Sequence, residues 1–254
     1  MTAPSWQFPG APLRTSFVAT KAVALVALVV IASAARAGLT LSAMYPWKAS
    51  ALFAVMLLPA LGLVGTHHPF TRYGPANQTT TFRALLVALV AGFVGERGDP
   101  SVAASAAVLT LTVSLLDGVD GWLARRSRMA SDFGARFDME VDALLVMTLS
   151  ILAWQFGKAG PWVLASGLLR YGFLVAGWLQ PWLARPLLPS RRRQAICVVQ
   201  IAGLNLAIVP AIPAPASALL AFVALAALIY SFTVDVAWLW RQRRLAAAQP
   251  VAGT

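Results

Sequence analysis

From residue 20 to residue 240 the chain is a near-continuous succession of apolar stretches, read at 20–43, 49–66, 79–96, 101–125, 134–156, 161–183, 194–212 and 215–240. A bilayer core takes about 20 mostly apolar residues per helix. In lipid, each spanning segment must satisfy its own backbone polar groups. Eight transmembrane helices are therefore predicted. A membrane β-barrel would show alternating segments of roughly ten residues, whereas these runs are continuous. Composition agrees: 59% of the residues are apolar and 11% charged, against about 45–50% and about 25% in soluble domains. A soluble enzyme, a disordered chain, a collagen and a disulfide scaffold (there is one cysteine) are excluded. The fold class is all-α, a polytopic integral membrane helical bundle.

Polar and helix-breaking residues separate the runs, as at 45–48, 98–100, 186–193 and 210–215. With the N-terminus inside, fifteen basic residues fall on the inner side, among them Arg14, Lys21, Arg72, Arg125 and Arg241. Only Arg36, Lys48, Arg97 and Lys158 fall outside, and Arg170 lies within a span. That asymmetry predicts cytoplasmic termini in a bacterial-type inner membrane. The net charge of +11 is thereby read as topology and contact with membrane lipids, and no nucleic-acid partner is implied. The first span has a rival reading. Its basic lead-in, its apolar stretch at 22–31 and its small residues at 32–37 resemble a cleavable leader. A retained helix is preferred because apolar character resumes at Leu39 and Leu41.

Of nine acidic residues, six lie between Asp117 and Asp142. A helix turns 100° per residue, which puts Asp117, Asp120, Gly121 and Ala124 on one face. Gly134, Asp138 and Asp142 share a face of the next helix, and a polar turn at 127–132 joins the two. Each face carries two carboxylates beside residues with almost no side chain. Four carboxylates gathered at a membrane repel one another, and two divalent cations would cancel them. Oxygen-only ligation suits Mg²⁺ or Mn²⁺ rather than zinc. Paired ions about 3.5–4 Å apart are a recurrent clamp for displacement at phosphorus. Glu140 lies four residues from Arg136 and is expected to pair with it, and Asp132 is expected in solvent.

The pattern D-x2-D-G-x2-A-R-x8-G-x3-D-x3-D, running from Asp117 to Asp142, resembles the signature of the CDP-alcohol phosphotransferase (CDP-alcohol phosphatidyltransferase) family at every fixed position. Asn77, Thr80 and Arg83 are similar to a segment that leads into the family's first core helix. The resemblance implies a six-helix domain at 71–244 with a cytoplasm-facing site. Residues 1–70 would add a two-helix N-terminal hairpin, and 245–254 a cytoplasmic tail. It implies an enzyme of phospholipid biosynthesis, a transferase in which an acceptor hydroxyl attacks the β-phosphorus of a CDP-linked lipid donor and CMP leaves. Asp117, Asp120, Asp138 and Asp142 would bind two Mg²⁺ or Mn²⁺ ions, and Asp142 would also be the general base. Gly121, Ala124, Arg125, Gly134, Asn77, Thr80 and Arg83 would hold the donor. A homodimer is implied as well.

The acceptor is a small alcohol, and a phosphorylated polyol such as glycerol-3-phosphate is favoured by Arg170, Arg192 and Arg193. Arg170 sits mid-span, so it is expected to face a cavity as an anion contact, or else to pair with an acid such as Asp235. Many bacterial members of the resembled family that use glycerophosphate have Pro and Lys where this chain has Met139 and Ala143, which keeps a neutral or zwitterionic alcohol open. A different class, a cation transporter using the aspartates as its ion site, is the competing reading. The aspartates lie at span ends rather than mid-span, which disfavours it. His67 and His68 are read as an interfacial pair, and Cys197 as a small core residue.

Overall fold

A computed structural model describes residues 10–188 and 190–248, and all its regular structure is helical. The elements are α1 (Ala11–Gly38), α2 (Tyr45–His67), α3 (Pro75–Gly92), α4 (Pro100–Ser127), α5 (Asp132–Gln155), α6 (Ala165–Leu179, entered through a 3₁₀ turn at Pro161–Leu164), α7 (Arg191–Ile208) and α8 (Ala214–Ala248). The eight apolar stretches thus become eight helices. Helices α1 to α4 each start with proline in the first turn, where the missing N–H costs nothing and φ is already set. Ser131 caps α5, its Oγ accepting from Gly134 N at 3.1 Å. Helix α6 stops at Leu179 rather than 183 because Pro181 bars continuation. Helix α8 runs on to Ala248, so 245–248 of the expected tail are helical and 249–254 lie outside the described residues.

Among the described residues, four helical stretches are long and apolar enough to cross a membrane by length and composition, namely α1, α4, the Pro161–Leu179 stretch and α8. Large apolar side chains on them are exposed, such as Val23, Val30, Leu111, Leu115, Leu219 and Phe222, as a lipid-facing surface requires. Helices α3, α5 and α7 carry the polar residues of the chain's centre, which lowers their hydropathy. They can do so because other helices shield them. In α3, residues 83–90 are buried on every face, so this helix is a central post rather than an amphipathic wall. It packs against α1, α2, α4 and α5.

At the end of the bundle where α4 starts, polar groups close on one another. Lys48 Nζ lies 2.5 Å from Glu96 Oε1. Ser42 donates to Glu96 through its backbone N–H (2.9 Å) and its hydroxyl (2.6 Å). Gln155 bridges Gly95 N and the carbonyls of Phe93 and Glu96. Lys158 Nζ donates to the carbonyls of Val209, Pro210 and Ile212 as α7 gives way to α8. Burial opposes the charge of Glu96, but the hydrogen bonds from Lys48 and Ser42 hold its carboxyl below the usual glutamate range.

Candidate active site

The opposite end gathers the acidic residues. Helices α4 and α5 present Asp117 and Asp120, and Asp138 and Asp142, toward one another, and the guanidinium of Arg83 on α3 enters between them. Its NH2 lies 2.8 Å from Asp117 Oδ1 and 2.6 Å from Asp142 Oδ1, and its NH1 lies 2.7 Å from Asp120 Oδ2 and also contacts Asp138. Arg83 is 1% exposed. Thr80 Oγ1 donates to Asp120 Oδ2 at 3.2 Å. One oxygen each from Asp117, Asp120 and Asp138 falls within 4.8 Å of the others. Four carboxylates (−4) against one guanidinium (+1) leave a formal −3. A compact, all-oxygen donor set with that residual charge fits a hard divalent cation.

Beside the carboxylates lies a cavity of about 150 Å³, walled by Asn77 and Thr80 of α3, Gly121 and Ala124 of α4, and Gly134 and Asp138 of α5. At Gly134 a side chain would collide: a Cβ there would stand 2.7 Å from Asn77 Oδ1, whereas one on Gly121 would make only ordinary contact, 3.5 Å from the Arg125 guanidinium. The wall is therefore the set read from the sequence as donor-binding, with Arg125 at its edge. Arg83 is placed differently, inside the carboxylate cluster and not among the residues that line the cavity.

Asp142 keeps one oxygen on Arg83. The other, Oδ2, has Cys197 Sγ of α7 at 3.9 Å. Cys197 packs against the apolar core, as expected for a small core residue, and also borders the site. Arg193 lies one turn before Cys197 on the same face of α7. Arg192 and Arg193 both engage Asp235 of α8, and Arg192 also donates to Ser231 O at 3.2 Å. Asp235 therefore anchors these two arginines, and it is not the partner of Arg170. The structure does not bring Arg170 to the aspartates. Its guanidinium pairs with Glu140, which projects from the face of α5 opposite Asp138 and Asp142. Glu140 accordingly pairs across helices and not with Arg136 along its own helix. Asp132 is exposed at the start of α5, and His68 is buried, bonded to Arg72 O and Ser131 Oγ.

Arg83, Lys21 and His68 are the site-end groups whose placement the sequence reading did not find. The signal for Arg83 was available. A lone cation next to an uninterrupted apolar run needs an acid at its own depth, and the four aspartates are the acids in surplus.

The structure is a helical bundle with spans long and apolar enough to cross a membrane, a carboxylate cluster at one end and a small-residue cavity beside it. The chain belongs to the CDP-alcohol phosphatidyltransferase family, whose model matches residues 74–242. It is also similar to the CDP-diacylglycerol–glycerol-3-phosphate 3-phosphatidyltransferase of Bacillus subtilis (strain 168), at 34% identity over 70 residues, 28% of this chain and 36% of that protein. The match thus spans about a third of that relative's length. No solved structure matches the chain.

Proposed function

We propose that this protein is an integral-membrane phosphotransferase in which a small alcohol attacks the β-phosphorus of CDP-diacylglycerol. The observation that carries the reading is the convergence of the four aspartates beside the small-residue cavity, in a chain whose family acts on CDP-alcohols. The cavity takes the cytidine diphosphate end of the donor, with Gly121, Ala124 and Gly134 leaving room and Arg125 at the rim. Asp117, Asp120, Asp138 and Asp142 would hold two Mg²⁺ or Mn²⁺ ions. When bound, these ions supply charge neutralisation for the diphosphate. Asp142 Oδ2 accepts the proton of the acceptor hydroxyl. The new bond forms between that oxygen and the β-phosphorus. The bond from the β-phosphorus to the bridging oxygen breaks, and CMP leaves with that oxygen.

The acceptor reaches Asp142 from the α7 side. Arg193, one turn from Cys197, and its neighbour Arg192 are then the anion contacts, and a phosphorylated polyol such as glycerol-3-phosphate is the favoured acceptor. The similarity to the Bacillus glycerol-3-phosphate 3-phosphatidyltransferase supports that choice. Helices α3 to α8 form the catalytic unit, α1 and α2 precede it as a hairpin, and the site faces the cytoplasm by the basic-residue asymmetry.

The test is an acceptor screen with purified protein, radiolabelled CDP-diacylglycerol and Mg²⁺ or Mn²⁺. Release of CMP with transfer to glycerol-3-phosphate supports the reading. Transfer to serine, inositol or choline alone would keep the chemistry and replace the acceptor. No CMP release with any acceptor, together with cation flux in proteoliposomes, would replace the enzyme by a transporter.

A further inference from the structure

The family match begins at residue 74, so it gives no role to α1, α2 and the loop that follows them. In the structure this segment is gripped onto two walls of the cavity. Lys21 of α1 is 7% exposed, yet among the described residues it pairs with no carboxylate. Its ammonium donates to Tyr73 Oη at 2.9 Å and to Thr81 Oγ1 at 2.7 Å. It also lies 4.4 Å from the ring centre of Phe137, 5.0 Å from that of Tyr73 and 5.1 Å from that of Phe17. A buried cation is costly, and packing alone would be served as well by leucine or methionine. What the ammonium adds is hydrogen bonds and cation–π attraction, directed at chosen residues.

Those residues lead to the site. Tyr73 is wholly buried and held by α1 at both ends: Ser16 Oγ accepts its backbone N–H at 3.1 Å, and Lys21 takes its phenol. Its carbonyl accepts from Asn77 Nδ2 at 2.6 Å. That bond turns the other end of the amide, Oδ1, toward Gly134 across the cavity. Thr81, the second acceptor of the ammonium, donates to Asn77 O at 2.8 Å. Phe137 directly precedes Asp138.

A second arm comes from His68, which is 5% exposed. Its Nε2 lies 2.8 Å from Arg72 O and its Nδ1 lies 3.0 Å from Ser131 Oγ. A carbonyl can only accept, so Nε2 carries the hydrogen, and in the neutral ring Nδ1 accepts from the Ser131 hydroxyl. Ser131 lines the cavity and caps the helix that carries Gly134, Asp138 and Asp142.

We propose that Lys21 and His68 are positioning residues of the donor pocket, so that the N-terminal hairpin sets the affinity for the CDP end of the substrate. This rests on the phosphotransferase reading. The experiment measures steady-state kinetics with each substrate varied in turn, CDP binding by calorimetry in detergent with Mg²⁺, and thermal unfolding. Lys21→Met keeps the bulk and removes the charge. His68→Phe keeps the ring and removes both hydrogen bonds. Each is expected to raise the donor KM and the CDP Kd by about fivefold or more, as for the loss of one or two buried hydrogen bonds, with the acceptor KM unmoved. Lys21→Arg and His68→Asn, which restore a cation and a Nδ1-like acceptor, are expected to recover most of the loss. Should Lys21→Met fail to fold, Tyr73→Phe, which deletes one acceptor of the ammonium, reads the same quantity. A lowered unfolding temperature with unchanged donor KM and CDP Kd in these variants would overturn the proposal. An inactive wild-type protein that still binds CDP more tightly than Lys21→Met would leave the positioning role standing and remove the phosphotransferase reading instead.

Discussion

The two ends of the bundle solve the same problem, charged groups against an apolar body, in opposite ways. At one end Lys48 meets Glu96 one to one, and Ser42 and Gln155 take up what remains. Lys158 closes on three carbonyls where α7 gives way to α8. The partnered groups there balance one another, which fits a structural role. At the other end one arginine faces four carboxylates. Fold stability alone would not favour such a surplus of like charge, which is why the proposed cation and polyanionic substrate are assigned to this end. A balanced cluster is structural; an unbalanced one beside a cavity is a site.

The largest effects should fall at the unbalanced end. Asp142→Asn is expected to cut turnover by about 10²- to 10⁴-fold, the usual contribution of a general base, while CDP binding measured by calorimetry survives. Asn at Asp117, Asp120 or Asp138 should instead remove activity together with the response to added Mg²⁺ or Mn²⁺. If all four variants lost CDP binding and metal response alike, the division between base and metal ligands would be wrong.

Arg83→Ala sharpens the contrast from the cation side. It leaves the buried Asp120 without its guanidinium, a kind of change that costs up to about 3–5 kcal/mol in other proteins, and it does the same to three carboxylates that solvent partly screens. Thermal unfolding in chelator should drop well below wild type, and Mg²⁺ should restore more stability to the variant than to the wild type. Equal Mg²⁺ responses would mean that guanidinium and metal do not answer the same charge.

A smaller effect separates the two sets of acceptor candidates. Arg193→Ala should raise the acceptor KM roughly tenfold through loss of a charge-assisted contact, whereas Arg170→Ala, held by Glu140 on the far face of α5, should leave it nearly unchanged. The reverse order would return Arg170 to the acceptor site.

The smallest change is at the balanced end. Glu96→Gln should cost about 0.2–1 kcal/mol, since Lys48 is partly solvated. Its carboxyl is held below the ordinary range in the folded state, so its contribution is complete above the unfolded-state value. That contribution fades as pH falls through the folded-state value. The stability gap between wild type and variant at pH 7 should therefore close in acid. A gap independent of pH would point to shape rather than charge.

How much of this was legible beforehand follows from how local each feature is. The eight helices were legible because apolar length and proline or glycine breaks are local. The ends of α1 and α8 were not, because Pro12 starts α1 within a mixed stretch and the basic residues at 241–244 do not stop α8. The two aspartate faces were legible because 100° per residue is enough to align Asp117 with Asp120 and Asp138 with Asp142. The partner of Glu140 was misplaced because an i+4 neighbour, Arg136, was available on paper, while the helix packing offered Arg170 from α6. Arg83 at the centre of the tetrad needs three helices at once. So do Lys21 and His68, whose contacts join residues 52, 60 and 63 positions apart.

The central claim is that the unbalanced end is a metal-dependent phosphotransferase site. The direct measurement is CMP release from radiolabelled CDP-diacylglycerol by the purified wild-type protein with glycerol-3-phosphate, before chelation, in excess chelator, and after Mn²⁺ or Mg²⁺ is returned. The account expects release to stop in chelator and to resume with the metal. Undiminished CMP release in excess chelator would contradict it.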